Sequence, residues 1–506
     1  MSFLKKIVPV PLHCFLVPVY FIVHNYFDFF GLVDFKDLLL PMLGWIVTPF
    51  VLYFLLGKVL RDKYNAGLFT TVLLLIYFFF APAHQLMKSV SWLQPVAKYS
   101  VLLPLLFLFI AALFFYLRKN KQPLLKLHRY LLLTLLVLLL ADGLMFGISR
   151  MKKIEQKNVA ETIQLQPLSL ADSLQPDIFF LVFDEHPSTA SVKRLSGYDN
   201  SMLDSELTKM GFYVSPDAVS GYAQTISSLH SILNMTENPG TATKEIGFRE
   251  IFRHRQQLLN NRLFSFLQQH EYHIYNGSIL AFKDHATVKT SRSWWGKPGG
   301  MVRNQTFFNR VYLDIGWLRS KYAPSIFGNP LIESFKDDSS TIAQANAIVD
   351  ASLQQPAQQK KMVFAHFLIP HFPYKYDSTG SIRYRSYHQY LKELSTQQPY
   401  AEQMAYTRNF ILKMVKKILE QNKRPAIIII QGDHGLRSYN KSLHGENEMF
   451  RVLSAIYWPN KNYSNIPAAL FTPNTFRIIL NQYYQQQIPL QQPWHHDLAL
   501  SDGFIH

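Results

Sequence analysis

Long apolar runs in the first 150 residues constrain the fold of this 506-residue chain more than any other feature of its sequence. Two of the clearest, 101–117 and 130–149, approach the roughly 20 apolar residues that a helix needs to cross a bilayer. Prolines interrupt the first run, for which a cleaved signal peptide is the alternative; a retained helix is favoured because no small-residue cleavage site follows. The sequence predicts five transmembrane helices within residues 1–150, near 7–24, 37–57, 67–83, 99–117 and 130–149.

Basic residues in the short loops predict the orientation of this bundle. On one side lie ten lysines and arginines: Lys5, Lys6, Lys58, Arg61, Lys63, Arg118, Lys119, Lys121, Lys126 and Arg129. The two short loops on the other side contain Lys36, Lys88 and Lys98. The amino terminus is therefore expected in the cytoplasm and everything after residue 150 outside it, although Arg150, Lys152 and Lys153 oppose this orientation.

Charge and cysteine content indicate the surroundings of the chain. The formal net charge of +17 favours contact with an anionic membrane surface or with phosphorylated substrates. Nucleic acid is not an expected partner, because no basic stretch with interleaved aromatic residues is present. Cys14, the single cysteine, lies in the first apolar run, so the external part needs a core without disulfides. A bacterial cytoplasmic (inner) membrane protein with a periplasmic domain fits these features.

The texture of the sequence changes after the membrane segment. Residues 151–175 are polar with scattered apolar positions, typical of a juxtamembrane linker. From 176 to 506, short apolar runs such as 176–183 and 426–430 alternate with helical patterns such as 405–422. This alternation predicts an α/β domain with a mostly parallel central sheet flanked by helices.

Candidate metal ligands follow several of the predicted strands. Asp184 and Glu185 end one apolar run, and Asp433 and His434 end another. A third run, 360–374, contains His366 and His371. Ligands of open α/β sheets bind at the carboxyl ends of strands, and oxygen with imidazole donors suits Zn²⁺, Mn²⁺ or Mg²⁺. Each signal is weak alone, because a carboxylate after a strand is often a helix cap and a single histidine is usually structural.

Thr225 is a candidate nucleophile. Apolar residues after it keep helical spacing, which places Thr225 at a helix amino terminus, where backbone N–H groups stabilise anions. A hydroxyl activated there can attack phosphorus. A plain helix-capping threonine is the alternative, and Ser227 and Ser228 are alternative hydroxyls.

In this order, the motifs "FFLVFDEHPSTAS", "YAQTISSLHSILNM", "IPHFPYKYD" and "QGDHG" resemble the alkaline phosphatase/sulfatase superfamily over residues 176 to about 486. With the leading membrane spans, the chain is most similar to bacterial sulfatase-domain membrane proteins, lipoteichoic acid synthases and phosphoethanolamine transferases. The resemblance implies an alkaline-phosphatase-like extracytoplasmic catalytic domain at 176–506.

The same resemblance implies roles for individual residues. Asp433, His434 and Thr225 would bind a divalent metal, with Zn²⁺ or Mn²⁺ favoured and Mg²⁺ possible, and Thr225 would also be the nucleophile. The fourth ligand would be Asp184, as in phosphatases and sulfatases, or Glu185, as in the transferases; Asp184 is favoured. His371 would assist at the substrate phosphate and His366 would lie just behind it. Arg437 and His444 follow the "DHG" sequence and are candidate anion contacts.

The nucleophile segment argues for phosphoryl rather than sulfate chemistry. Sulfatases of this superfamily use a Cys or Ser in a C/S-x-P-x-R sequence, whereas "TISSL" lacks that proline and arginine. The expected function is transfer of a phosphorylated head group from a phospholipid or lipid-linked donor to a lipid or envelope glycan acceptor. The alternatives are a phosphodiesterase or phosphatase, in which water replaces the acceptor, and a catalytically silent envelope binding protein.

Overall fold

A computed structural model of the chain describes the following residues: 11–28, 38–120, 122–156, 163, 165–166, 175–237, 245–246, 248–289, 302–316, 318, 322, 330–384, 389, 392–393, 396–437, 448–496 and 499–500. These residues belong to two compact units. The first, here called the membrane unit, comprises 1–159, 293–322 and 502–506, and the second, the sheet unit, comprises 160–292 and 323–501.

In chain order the helices are α1 (His13–Asp28), α2 (Leu39–Leu60), α3 (Lys63–Ser89), α4 (Gln94–Ala97), α5 (Tyr99–Lys119), α6 (Leu125–Gln156), α7 (Thr189–Ser196), α8 (Ser201–Lys209), α9 (Thr225–Asn234), α10 (Phe248–Leu259), α11 (Arg262–Gln269), α12 (Phe307–Ile315), α13 (Pro330–Leu353), α14 (Gln398–Gln421) and α15 (Thr475–Tyr483). The strands are β1 (Asp177–Phe183), β2 (Tyr213–Val214), β3 (Glu245–Ile246), β4 (His273–Gly277), β5 (Lys361–Phe367), β6 (Ala426–Gly432), β7 (Ser454–Tyr457) and β8 (Ala499–Leu500).

Among the described residues of the membrane unit, four helices are long and apolar enough to cross a bilayer, namely Leu39–Leu60, Lys63–Ser89, Tyr99–Lys119 and Leu125–Ile148. They match the last four predicted spans, and the chain is a multi-pass membrane protein. Large apolar side chains such as Phe54, Phe107 and Leu140 are exposed on them, as expected of surfaces that face lipid. The predicted span at 7–24 is not confirmed. There α1 has 16 described residues, too few to cross alone, and residues 1–10 lie outside the described part.

The sheet unit is built on a six-stranded sheet with the order β2-β7-β6-β1-β5-β4. Strands β6, β1, β5 and β4 are parallel neighbours, whereas β7 runs antiparallel to both β6 and β2. The sheet is therefore mixed, and the prediction of a mostly parallel sheet was too simple. In the antiparallel ladder, Gln431 near the carboxyl end of β6 is paired with Ser454, the first residue of β7, so the chain re-enters the sheet at the end where β6 leaves it.

The central strands are buried on both faces, which explains their continuous apolar runs. On one face, Phe179 and Leu181 of β1 share a core with Ile411 and Met414 of α14 and with Ile342 of α13. On the other face, Phe180 packs edge-on against Phe476 of α15 at 5.1 Å between ring centroids. Helices therefore cover both faces of the sheet, and the ends of the central strands lie between these helical layers.

Candidate metal centre

The register of β1 and β6 brings two acidic residues side by side. Phe183 is paired with Gly432 in the parallel ladder. Asp184 and Asp433 each follow directly, so the two acids lie next to each other at the carboxyl ends of neighbouring strands. Both carboxylates are buried. His434 follows Asp433 directly and is also buried, which places a nitrogen donor beside two oxygen donors.

Asp184, Asp433 and His434 form a cluster that can hold a metal ion, because one ligand atom from each lies within 4.8 Å of the others. Nε2 of His434 is 3.7 Å from Asp184 Oδ1 and 3.5 Å from Asp433 Oδ2. The Nδ1–H of His434 donates to the carbonyl of Gly435 at 2.9 Å, which leaves Nε2 with its lone pair directed at the carboxylates. Metal-binding histidines are oriented in this way.

Thr225 completes the cluster from a different part of the chain. It is the first residue of α9, and its hydroxyl lies 3.5 Å from Asp184 Oδ1 and 3.3 Å from His434 Nε2. The neighbouring hydroxyls are engaged elsewhere: Ser227 is 2.9 Å from Nδ1 of His254, and Ser228 donates to the backbone carbonyl of Asp433. Of the three candidate hydroxyls, Thr225 is therefore the one grouped with the ligands.

The donor set fits a divalent cation. Within the described part of the chain, the buried Asp433 Oδ2 has no hydrogen-bond partner, and a buried carboxylate oxygen normally has one. Burial, and then the Asp433 carboxylate, raise the pKa of Asp184 well above its usual value. Burial, and then the Arg437 guanidinium, keep the pKa of His434 well below its usual value, so the imidazole is neutral. Two buried carboxylates beside a neutral imidazole are an arrangement that Zn²⁺ or Mn²⁺ stabilises.

Glu185 points away from this cluster despite being adjacent to Asp184. Its backbone has a left-handed φ of +58°, and its N–H donates to Asp433 Oδ1 at 3.0 Å. Its Oε1 accepts from the backbone N–H of Arg437 at 2.7 Å, and Oε2 lies 3.6 Å from His371 Nε2. Burial alone would raise the pKa of Glu185, but His371 and Arg437 outweigh it and lower this pKa. The structure thus groups Asp184, and not Glu185, with Asp433 and His434.

His371 and Arg437 face each other next to Glu185. Nη2 of Arg437 is 3.2 Å from Nε2 of His371, whose Nδ1–H donates to the carbonyl of Phe372. Burial lowers the pKa of His371, with Glu185 acting in the opposite direction. About a third of the Arg437 side chain remains exposed. The Arg437 guanidinium is therefore partly accessible to solvent beside His371, where an anion can reach it.

Of the other two histidines predicted for the site, His366 and His444, the structure describes only His366. His366, on β5, is buried with Nε2 3.6 Å from Asp184 Oδ2, and burial lowers its pKa to about 4. It therefore lies beside Asp184 as a neutral imidazole. His444 lies outside the described residues.

Sequence reasoning missed Gln403, a buried residue of α14. Its Nε2–H group donates to the carbonyls of Pro370 and His371 at 2.9 and 3.0 Å, and its Oε1 accepts from the N–H of Lys375 at 2.9 Å. These bonds hold the loop that carries His371. The available signal was a polar residue on the apolar face of an amphipathic helix, in line with Thr407 and Ile411.

The model of the sulfatase family matches residues 188–476 of this chain. Among solved structures, the chain is similar to the integral membrane lipooligosaccharide phosphoethanolamine transferase A (EptA) from Neisseria meningitidis, at 13% identity and a TM-score of 0.40 over 94% of each chain. It is also similar to the C-terminal periplasmic domain of EcEptC from Escherichia coli, at 14% identity and a TM-score of 0.38, covering 63% of this chain and 86% of that one. The putative sulfatase yidJ from Bacteroides fragilis shares 12% identity at a TM-score of 0.38, covering 65% and 77%. No curated protein matches this sequence.

Proposed function

Because this chain belongs to the sulfatase family, we propose that it is a metal-dependent phosphotransferase that acts on membrane lipid or envelope glycan head groups through Thr225. One observation carries the proposal: the Thr225 hydroxyl lies within 3.5 Å of both Asp184 and His434, in a cluster that also includes Asp433. The sequence "TISSL" lacks the proline and arginine of the sulfatase nucleophile motif, which favours phosphorus over sulfur as the centre attacked.

Asp184, Asp433, His434 and Thr225 are the residues that would hold the metal. When bound, a divalent cation neutralises phosphate oxygens and favours the alkoxide form of the threonine. Zn²⁺ and Mn²⁺ suit this mixed oxygen and nitrogen set, and Mg²⁺ is the weaker candidate. The position of Thr225 at the start of α9 adds backbone N–H groups that favour negative charge on the substrate.

In the proposed reaction, Thr225 Oγ1 attacks the phosphorus of a phosphodiester donor. The new Oγ1–P bond replaces the bond to the lipid alcohol, which leaves with the proton that Thr225 gives up. The acceptor hydroxyl then attacks the phosphothreonine and the Oγ1–P bond breaks. The acceptor's proton passes through a base to the departing Oγ1, so the Thr225 hydroxyl is regenerated. His371 Nε2 is the proposed proton carrier, and the Arg437 guanidinium binds a phosphate oxygen.

Glu185 has a positioning role in this scheme. Its carboxylate fixes the backbone of Arg437 and faces His371, and its own N–H holds Asp433. The donor is a phospholipid or lipid-linked molecule and the acceptor a lipid or envelope glycan. The membrane helices support this choice, because a tether to the bilayer raises the effective concentration of a lipid donor. The expected location is a bacterial inner membrane, with the site on the periplasmic side.

Mass spectrometry of the full chain tests the proposal. After incubation with phosphatidylethanolamine and Mn²⁺ or Zn²⁺, the peptide containing Thr225 should carry a head-group phosphate. Thr225→Ala should abolish the adduct, whereas Thr208→Ala, at an exposed threonine of α8, should leave it intact. An adduct that survives in Thr225→Ala would refute the nucleophile. Release of phosphorylated head group without dependence on an acceptor would show hydrolysis instead of transfer.

A further inference from the structure

Helix α3 of the membrane unit is kinked, and residues 302–306 make a backbone hydrogen bond at the kink. Phe79 has non-helical dihedral angles, φ −111° and ψ 20°. Pro82 explains them, since it has no N–H for the carbonyl of Phe78 and its ring clashes with that carbonyl. The N–H of Ala81 donates to the carbonyl of Gln305 at 3.2 Å. Residues 302–306 therefore satisfy a backbone group at the bend, as a membrane-spanning helix requires.

The next element, α12, is fastened to the same end of α3. Phe307 packs edge-on against Phe80 at 4.7 Å between ring centroids. Asp314 Oδ2 accepts from the hydroxyl of Tyr99 at 2.6 Å and from Nε of Arg310 at 3.1 Å. Nζ of Lys88 lies 3.8 Å from the same oxygen. Nδ1 of His84 lies 3.8 Å from it as well. Because one partly buried carboxylate of α12 contacts Tyr99, Lys88 and His84 of other helices, α12 is held in a defined orientation against them.

Two aromatic side chains of α12, Phe308 and Tyr312, are largely exposed, although Phe308 also contacts Tyr77 of α3 at 5.9 Å between ring centroids. Phe308 and Tyr312 lie one turn apart on the same face and are 70% and 53% exposed. Trp92 and Leu86, near the same end of α3, are exposed too. Aromatic residues are enriched where membrane proteins meet the headgroup region, and this surface belongs to the same unit as the lipid-facing helices.

We propose that residues 302–315 are an interfacial segment, whose Phe308 and Tyr312 side chains contact phospholipids of the leaflet on the side opposite the basic loops. The occupant is phospholipid because the segment is attached to helices that cross the bilayer. It is attached near Lys88 and Lys98, on the side whose loops contain few basic residues. An exposed phenylalanine ring and a tyrosine ring with a polar hydroxyl suit the boundary between headgroups and acyl chains. The inference is independent of the reaction proposed above.

Fluorescence quenching in a bilayer tests this placement. Cys14, the only native cysteine, is fully buried, so a thiol-reactive fluorophore can be directed to Phe308→Cys in the full chain. In nanodiscs that contain phospholipids with a nitroxide near the headgroup, the label should lose most of its fluorescence and resist aqueous iodide. Tyr312→Cys is the second probe if the first variant does not fold. Met202→Cys, at an exposed position of α8 in the sheet unit, is the matched control and should show the reverse pattern.

Two results would overturn the placement. Nitroxide quenching at 308 and 312 no stronger than at 202 would show that the segment does not contact lipid. Protection from both quenchers would show that a protein covers the rings, either another chain or a second copy. Asp314→Ala should weaken the nitroxide quenching at 308, whereas Asp350→Ala, at a partly exposed carboxylate paired with Lys417, should not. Unchanged quenching in Asp314→Ala would remove the anchoring role assigned to Asp314.

Discussion

The hydroxyl oxygen of Thr225 lies 3.3 Å from Nε2 of His434, although 209 positions separate the two residues in the chain. The amino terminus of α9 supplies the first and the carboxyl end of β6 supplies the second. Asp184 joins them from the end of β1. The convergence of these three segments on one buried point is the basis of the proposed reaction.

Asp433→Asn is expected to change stability in opposite directions with and without metal. In metal-free protein it removes one of two buried carboxylates that repel each other, so the midpoint of thermal unfolding should rise, at about 2–4 °C per kcal/mol for a domain of this size. With Zn²⁺ or Mn²⁺, the wild-type protein should gain stability from binding and the variant should gain little. Thermal unfolding with chelator and with added metal measures both effects. Equal metal-induced shifts in Asp433→Asn and in the exposed control Asp199→Asn would contradict the ligand assignment.

Metal-free protein should also become less stable as the pH rises. The pKa of Asp184 is raised in the folded state, so the folded protein keeps a proton that the unfolded chain has already released. The contribution of this group to stability is therefore complete below its unfolded value near 3.8 and is lost as the pH rises through the folded value. The unfolding free energy of the metal-free protein should fall as the pH rises above about 3.8. In Asp184→Asn this decrease with pH should be smaller. A slope that is the same in the variant would count against this prediction.

Arg437→Met should lower kcat/KM by about 10- to 100-fold, because hydrogen bonds to charged groups contribute about 1.5–3 kcal/mol. Metal affinity should change less than kcat/KM, since the guanidinium lies against Glu185 and His371 and not within the cluster of Asp184, Asp433 and His434. Steady-state kinetics and metal titration measure the two quantities. The exposed Lys416→Met is the charge-matched control. Loss of metal together with activity would point to a structural role for Arg437.

Gln403→Ala should impair catalysis through the loop that carries His371. The substitution leaves the carbonyls of Pro370 and His371 and the N–H of Lys375 without their buried partner. The expected cost in unfolding free energy is about 1–3 kcal/mol. The pH profile of kcat should shift as well, because His371 is no longer held beside Glu185. Gln398→Ala, on an exposed turn of the same helix, should leave both unchanged. A stability loss with an unaltered pH profile would make Gln403 merely structural.

The sequence could predict the part of the site that depends on strand ends. Short apolar runs that stop at Asp184 and shortly before Asp433 predict the strands, and the parallel pairing of Phe183 with Gly432 brings the two acids together. The choice between Asp184 and Glu185 depended on a backbone angle, φ +58° at Glu185, that sequence alone does not reveal. Gln403 acts through backbone carbonyls of a loop that is remote in sequence, so no motif marks it.

The prediction of a mostly parallel sheet was wrong because the direction of a strand depends on contacts between residues far apart in the sequence. The direction of β7 depends on which end of the sheet the chain re-enters after β6, and periodicity carries no information about that. Likewise, the attachment of α12 to the membrane helices depends on the kink at Phe79 and on the contacts of Asp314, which no local pattern predicts. Apolar length, by contrast, is local, and the last four predicted membrane spans are confirmed.

Anomalous diffraction from crystals of the full chain saturated with Zn²⁺ or Mn²⁺ tests the central claim most directly. The predicted result is a cation within about 2–2.3 Å of donor atoms from Asp184, Asp433 and His434, with the Thr225 oxygen facing it and Glu185 outside the coordination shell. A cation held by Glu185 and His371 instead, or none at these residues at saturating metal, would contradict the account.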